Sequence, residues 1–292
     1  RVELAQRRIK RALRLNLGRD DEIYLIRSRA FLCADDLSKA LQDCEASIGS
    51  NATNPEVFAL LANIHQAQSS PENAISALTK AIDLENDEFK KSDLLRQRAQ
   101  LFRSVQNSQT ALEGLENSVS LNPSNPISWL QIAEFHQARN DWNSVNQAVR
   151  HSLTVQTPPP GKVAQTALQI AANSSQFFEN KILNEPQFNP ELCLQRGLSY
   201  QLRDLPEKAL ADCNLVLEAD PNNISAKHCR AQVLNQLKNY EAAIDDLTSV
   251  LKLKSLATEI QSQLRFDRAV SHNLLGNKEE AKSDLLKAIR LN

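Results

Sequence analysis

Apolar residues recur along this chain at helical spacing, and they recur in blocks of one plan. In the stretch PELCLQRGLSYQLRDLPEKALADCNLVLEADPNN, residues 190–223, Gly197 and Tyr200 share the inner face of one helix. After a short break, Ala209, Cys213 and Leu217 mark the inner face of a second helix, and the block closes on Asp220-Pro221-Asn222-Asn223. From Ile224 the plan repeats, with Ala231, Tyr240, Ala243, Leu247 and Val250 in place. A period of this size marks a repeat architecture, in which each helical pair buries its apolar face only against its neighbours.

The clearest register mark is a small residue in the first turn of each second helix: Ala5, Ala40, Ala74, Ala111, Val145, Ala209, Ala243 and Ala281. Seven residues later stand Ala12, Ser47, Ala81, Ser118, Ser152, Val216, Val250 and Ala288, on the same helical face. Small residues there let helix axes approach toward the short end of the ~8–10 Å range. In this register residues 1–17 form a lone second helix. Complete units start at Asp21 and Pro55, then at about Ser92 after extra loop residues 86–91, and at Pro126, a unit that carries Trp129 and Trp142. Thr157-Pro158-Pro159-Pro160-Gly161 is the strongest break. Residues 158–189 then read as a degenerate repeat, with one helix over Lys162–Asn173 and a short second helix through Phe177, Phe178, Ile182 and Leu183, or as a linker. The predicted organisation is 1–157, 158–189 and 190–292, the last holding three repeats with a four-residue insertion near Leu253–Ala257.

These residues resemble tetratricopeptide repeats. Gly197, Tyr200, Ala209 and Pro221 stand where that family has its Gly, Tyr, Ala and Pro; Ser28, Ala62, Ala99, Ala133, Ala231 and Ala269 replace the Gly elsewhere, and Trp129 keeps the first-helix Trp. The resemblance implies an all-α fold, a right-handed superhelical solenoid of antiparallel helix pairs whose first helices line a concave groove. It also implies a role in binding extended peptides or helices of partner proteins. Mapping the family's groove onto this chain selects Asn63, Gln66, Arg96, Gln100, Arg103, Leu194, Leu198, Leu202, His228 and Gln232 as partner-binding residues. Phe266, Val270 and Asn273 extend that face. Amides and Arg can bond a peptide backbone or a carboxylate, and the Leu stripe suits apolar anchors.

Composition narrows the function classes. The 292 residues carry a net charge of −1, so no field points to nucleic acid, and no apolar run approaches the ~20 residues of a membrane span. The chain has six glycines and none of GxxxxGKS/T, GxGxxG or GxSxG, so no enzyme and no cofactor is expected. Its five cysteines lack CxxC spacing, which fits small core residues in a reduced, cytoplasmic setting. Absence of Met, even at position 1, and a start inside a second helix suggest a piece of a longer protein.

One pattern is the chain's own. Arg27, Arg196, Arg230 and Arg268 share a first-helix slot, and Asp43, Asp212, Asp246 and Asp284 follow each by sixteen residues. That spacing places them opposite each other in a hairpin and predicts four ion pairs. Arg98 is the exception, facing Gly114. His65, His136 and His272 share the slot of Phe102 and Tyr200 in separate repeats, which fits packed rings and no metal. Glu22, Glu56, Asp93 and Glu191 sit in first turns, where a carboxylate gains ~0.3–1 kcal/mol from the helix dipole. The expected function is a protein-interaction module. The alternatives are a recruiting region of a larger enzyme and a scaffold that self-associates through uncapped ends.

Overall fold

The computed structural model describes residues 20–154, 161–185, 187–253 and 256–291. The lone helix expected over 1–17 and the Thr157–Pro160 break lie outside the described residues. Two compact units divide the chain between Ile132 and Ala133. The first unit holds three antiparallel hairpins: α1 (Asp20–Cys33) with α2 (Leu37–Ser50), α3 (Pro55–Ala67) with α4 (Pro71–Leu84), and α5 (Glu88–Ser104) with α6 (Ser108–Leu121). The unit boundary falls within α7 (Pro126–Ala138). The second unit continues with α8 (Trp142–Thr154), α9 (Gly161–Asn184), α10 (Pro190–Leu202), α11 (Pro206–Ala219), α12 (Ile224–Gln236), α13 (Tyr240–Leu251), α14 (Thr258–Leu275) and α15 (Lys278–Ile289). Among the described residues there is no strand, and the fold is an all-α stack of helix pairs.

The register residues are the closest-packed positions. Ala40, Ser47, Ala74, Ala81, Val145, Ser152, Ala209, Val216 and Ala243 have no exposed surface. Around them lie apolar clusters, such as Phe58, Leu78, Ile82, Leu94 and Leu95 in the first unit and Tyr200, Cys213, Leu217 and Val233 in the second. Cys44 and Cys213 fill the same slot, fully buried, and burial pushes the Cys44 thiol up to about 11.

Each hairpin turn uses one device. Asp35, Ser69, Gln106, Asn140, Asp204, Lys238 and Gly276 all have φ between 56° and 93°. The next residue donates its N–H to the carbonyl five back, as Ser70 does to His65 and Leu205 to Tyr200. This closes the first helix in a Schellman-type turn and aims the chain into the second. Linkers between hairpins end on a side-chain cap: Asn54, Asp87, Asn189 and Asn223 accept from the first N–H groups of α3, α5, α10 and α12.

All four predicted ion pairs form, each bidentate. Arg27 meets Asp43 at 2.5 Å, Arg196 meets Asp212 at 2.6 and 3.0 Å, Arg230 meets Asp246 at 2.7 Å, and Arg268 meets Asp284 at 2.7 and 2.8 Å. The carboxylates hold the guanidinium groups of Arg27, Arg196 and Arg230 above their usual range. Burial at the same time pushes the Asp212 carboxyl up, against the pull of Arg196. Several of these arginines also reach the preceding second helix, Arg230 to Asn214 and Arg268 to Thr248. Arg98 keeps that second contact, to Thr79 at 3.1 Å, while its Nε finds no acceptor opposite Gly114.

Three elements depart from the sequence reading. Helix α5 begins at Glu88, so residues expected in a loop form an extra helical turn capped by Asp87. In the last repeat α14 starts at Thr258, directly after the expected insertion, but runs 18 residues against 13 in α12, so this first helix is longer than the repeat plan. Finally, residues 161–184 are one continuous 24-residue helix where two helices were expected. Asn173-Ser174-Ser175 can favour a turn, because short polar side chains compete for the backbone. Here Ser174 instead bonds Asn146 at 2.8 Å, and Ser175 accepts from Arg203 at 2.7 Å. Tertiary partners thus remove the incentive to break.

Candidate functional site

An unpaired helix changes which faces meet. Helix α9 packs against both α8 and α10, the role a second helix plays between successive first helices. Helix α8 also packs against α10, as α10 does against α12 and α12 against α14. In the second unit α8 therefore joins the layer of first helices. Trp142 stacks on Phe177 of α9 with centroids 5.2 Å apart, and the Tyr200 hydroxyl donates to Glu179 at 2.5 Å, locking α9 behind this layer.

Asn146 is the hinge of the arrangement. It is 3 % exposed, donates to the Gln195 carbonyl at 3.1 Å, and accepts from Ser174 and Ser199 at 2.8 and 3.1 Å. The equivalent slot holds Leu41, Ile75, Leu112, Leu210 and Ile244 in the interior second helices and is otherwise polar only in the first and last, at Gln6 and Lys282. That polar residue in an apolar slot was the sequence signal that α8 differs.

Helices α8, α10, α12 and α14 enclose a cleft of about 580 Å³. One wall, on α8, presents Asn143, Gln147, Arg150 and His151; the floor is Leu194, Leu198 and Cys229; the far wall is Phe266 and Asp267 of α14. Phe266 is 49 % exposed. A chain of hydrogen bonds crosses the cleft. Arg150 donates to the side-chain carbonyls of Gln201 at 3.2 Å and Gln232 at 3.1 Å, and the Gln232 amide donates to Asp267 at 2.9 Å. His228 Nε2 also contacts the Asp267 carboxylate, and Gln263 donates to it at 3.2 Å. Partial desolvation, with Arg150 adjacent, pushes the imidazole of the exposed His151 down from its ordinary range.

Of the sequence-selected residues, Leu194, Leu198, His228 and Gln232 line this one cleft. Leu202 lies half-buried on α10 and outside the lining. Asn63, Gln66, Gln100 and Arg103 are exposed on α3 and α5 of the first unit, and Arg96 is half-buried with Asp93 at 3.4 Å. The wall residues Asn143, Gln147 and Arg150 were missed, because the register assigned α8 to the outer layer. Among the described residues, no His/Cys/Asp/Glu group could hold a metal ion, and no helix is long and apolar enough to cross a membrane. His65 bonds Gln68 at 3.2 Å and His136 pairs with Asp141 at 3.1 Å, each within its own hairpin.

Residues 262–292 match the family profile of the tetratricopeptide repeat, over the same slots that recur along the chain. The chain carries tetratricopeptide repeats. Residues 30–151 match the profile of the ChAPs, the Chs5p-Arf1p-binding proteins. Human tetratricopeptide repeat protein 6 is 30 % identical over 96 residues, which span 33 % of this chain and 18 % of that protein. Among solved structures, yeast Tom70 aligns over 97 % of this chain and 59 % of its own, at 14 % identity and a TM-score of 0.49. A repeat protein of Parabacteroides merdae aligns over 94 % and 93 %, at 17 % identity and a TM-score of 0.42. A helical-repeat fold of this kind supports protein interaction in general terms.

Proposed function

We propose that the second unit binds an extended segment of a partner protein in the cleft between α8, α10, α12 and α14. The observation that carries this reading is the division of the cleft into an amide-rich wall and an apolar floor. Asn143 and Gln147 are exposed on one side, and on the other lie the buried Leu194, the half-buried Leu198 and the half-exposed Phe266. A peptide in extended conformation presents backbone donors and acceptors together with alternating side chains, and such a cleft meets both. The volume lies within the ~300–1,000 Å³ range of small-ligand pockets, enough for a few residues of a longer segment. The match of 30–151 to a family named for binding Chs5p and Arf1p supports protein partners for the first unit as well.

Affinity capture with the wild type, Phe266→Ser, Leu198→Ser and Arg96→Ala/Arg103→Ala, each with unchanged helicity, tests the reading. A partner lost with the first two and kept by the last supports it. A partner kept by Phe266→Ser and Leu198→Ser moves binding away from the cleft. Sedimentation of the wild type over a range of concentrations separates partner binding from self-association. The reading belongs with a cytoplasmic, reducing setting, supported by the buried free thiols of Cys44, Cys193, Cys213 and Cys229. Protein isolated from cells under alkylating conditions should then show all five thiols reduced.

A further inference from the structure

We propose that Arg150 is the specificity-determining residue of the cleft, receiving an acidic side chain of the partner segment beside a large apolar one. This rests on the cleft being the partner site. The guanidinium is held in position from both sides, by Gln201 of α10 and Gln232 of α12. Both acceptors are neutral amide carbonyls, so the bonds orient the group without discharging it. Arg has five N–H donors in a rigid fork, and these two bonds leave donors for a carboxylate, a stronger and often bidentate partner.

The carboxylate on the far wall does not compete. Asp267 is occupied by His228, Gln232 and Gln263, and it lies on the other end of the Gln232 amide from Arg150. Gln232 thus separates a satisfied negative end on α14 from a positive end on α8 that has only neutral partners. The cleft that Arg150 lines also holds the buried Leu194, the half-buried Leu198 and the half-exposed Phe266. The matching segment places Asp or Glu at α8 and a Leu-, Ile- or Phe-sized side chain on the floor.

A random peptide library displayed with its C-terminus fused, so that no terminal carboxylate is available, is selected on the full chain. The expected clones carry Asp or Glu next to a large apolar residue, and the corresponding C-terminally amidated peptides bind. Replacing the acid of the peptide by its amide, or Arg150→Gln in the protein, should each weaken binding by about ten-fold or more, the scale of a charge-assisted bond. Both changes together should cost little beyond either alone. Arg150→Glu should turn the selection toward Lys and Arg, a reversal that loss of folding cannot mimic. Clones without acidic enrichment, or an unchanged Kd with Arg150→Gln, overturn this proposal. If those clones still depend on Phe266 and Leu198, the cleft survives as the binding site; if Phe266→Ser and Leu198→Ser leave binding intact, the cleft reading itself falls.

Discussion

Asp246 is 8 % exposed and has a single cation opposite, so removing Arg230 strands a nearly buried charge. Losing one partner of a buried pair costs ~3–5 kcal/mol, whereas an exposed pair contributes at most ~1 kcal/mol. Arg29 and Glu56, both about half exposed, are of the second kind. Arg230→Ala should therefore lower the thermal midpoint well beyond Arg29→Ala, and equal melting curves would contradict the buried pair. The third repeat offers the converse. Gly114 faces Arg98, whose guanidinium burial pushes below its usual range. A Cβ at 114 would meet the Ala99 Cβ at 3.3 Å, and the Ala231 and Asp246 pair shows that this slot combination packs. Gly114→Asp should raise the thermal midpoint more than Gly114→Ala, because it adds a carboxylate as well as removing a helical Gly that costs ~1 kcal/mol. Tyr200 links stability to pH. Burial, helped by Glu179, pushes its hydroxyl from near 10 up to about 12. The folded state then favours the protonated phenol, so its contribution is complete below pH 10 and is lost as pH rises toward about 12. Melting curves taken from pH 9 to 11 should show wild type losing stability faster than Tyr200→Phe.

At the scale of elements, helix α9 decides the architecture of the second unit. The two-helix reading puts a turn near residues 173–176, where a proline would be tolerated. In the continuous helix, proline removes a hydrogen bond and clashes with the preceding turn, at ~3 kcal/mol or more. Gln176 is exposed and its amide donates only to Asn180 on the same helix, at 3.2 Å, so its substitution reports mainly the backbone. Gln176→Pro should destabilise the protein by about that amount in denaturant unfolding while Gln176→Ala is close to neutral. Equal midpoints for the two would restore the turn. The hairpins themselves were legible. Their small register residues, their sixteen-residue ion pairs and their starts at Pro55, Pro126 and Pro190 all sit where the repeat spacing put them. The helix extensions of α5 and α14 were not legible, because an inserted residue count does not say whether it lengthens a loop or a helix.

Across the whole molecule, a stack of repeats transmits damage only to neighbours. Asn146→Ala removes the shared acceptor of Ser174 and Ser199 and one donor to the Gln195 carbonyl, while Ser174 keeps Ser199 and Ser199 keeps Gln195, each at 2.9 Å, so the loss should lie at the low end, about 1 kcal/mol. Amide hydrogen exchange should lose protection over α8, α9 and α10 and stay unchanged over α2–α4. A uniform loss along the chain would mean that both units unfold as one. Part of the candidate cleft was readable at this scale. Leu194, Leu198, His228 and Gln232 come from helices whose layer the register assigns correctly, while Arg150 and its neighbours come from the one helix whose layer it does not.

Short-range geometry was determined by the sequence alone: helix faces, hairpin lengths, turn positions and which Arg meets which Asp. These depend on spacing along one or two helices, and spacing is written in the chain. Only the tertiary structure decided that residues 161–184 stay a single helix and that α8 consequently lines the cleft. In a two-layer stack each added helix switches the layer of the helices before it relative to the helices after it. That parity depends on whether buried serines find partners on other helices, a contact between residues as far apart as Asn146 and Ser199.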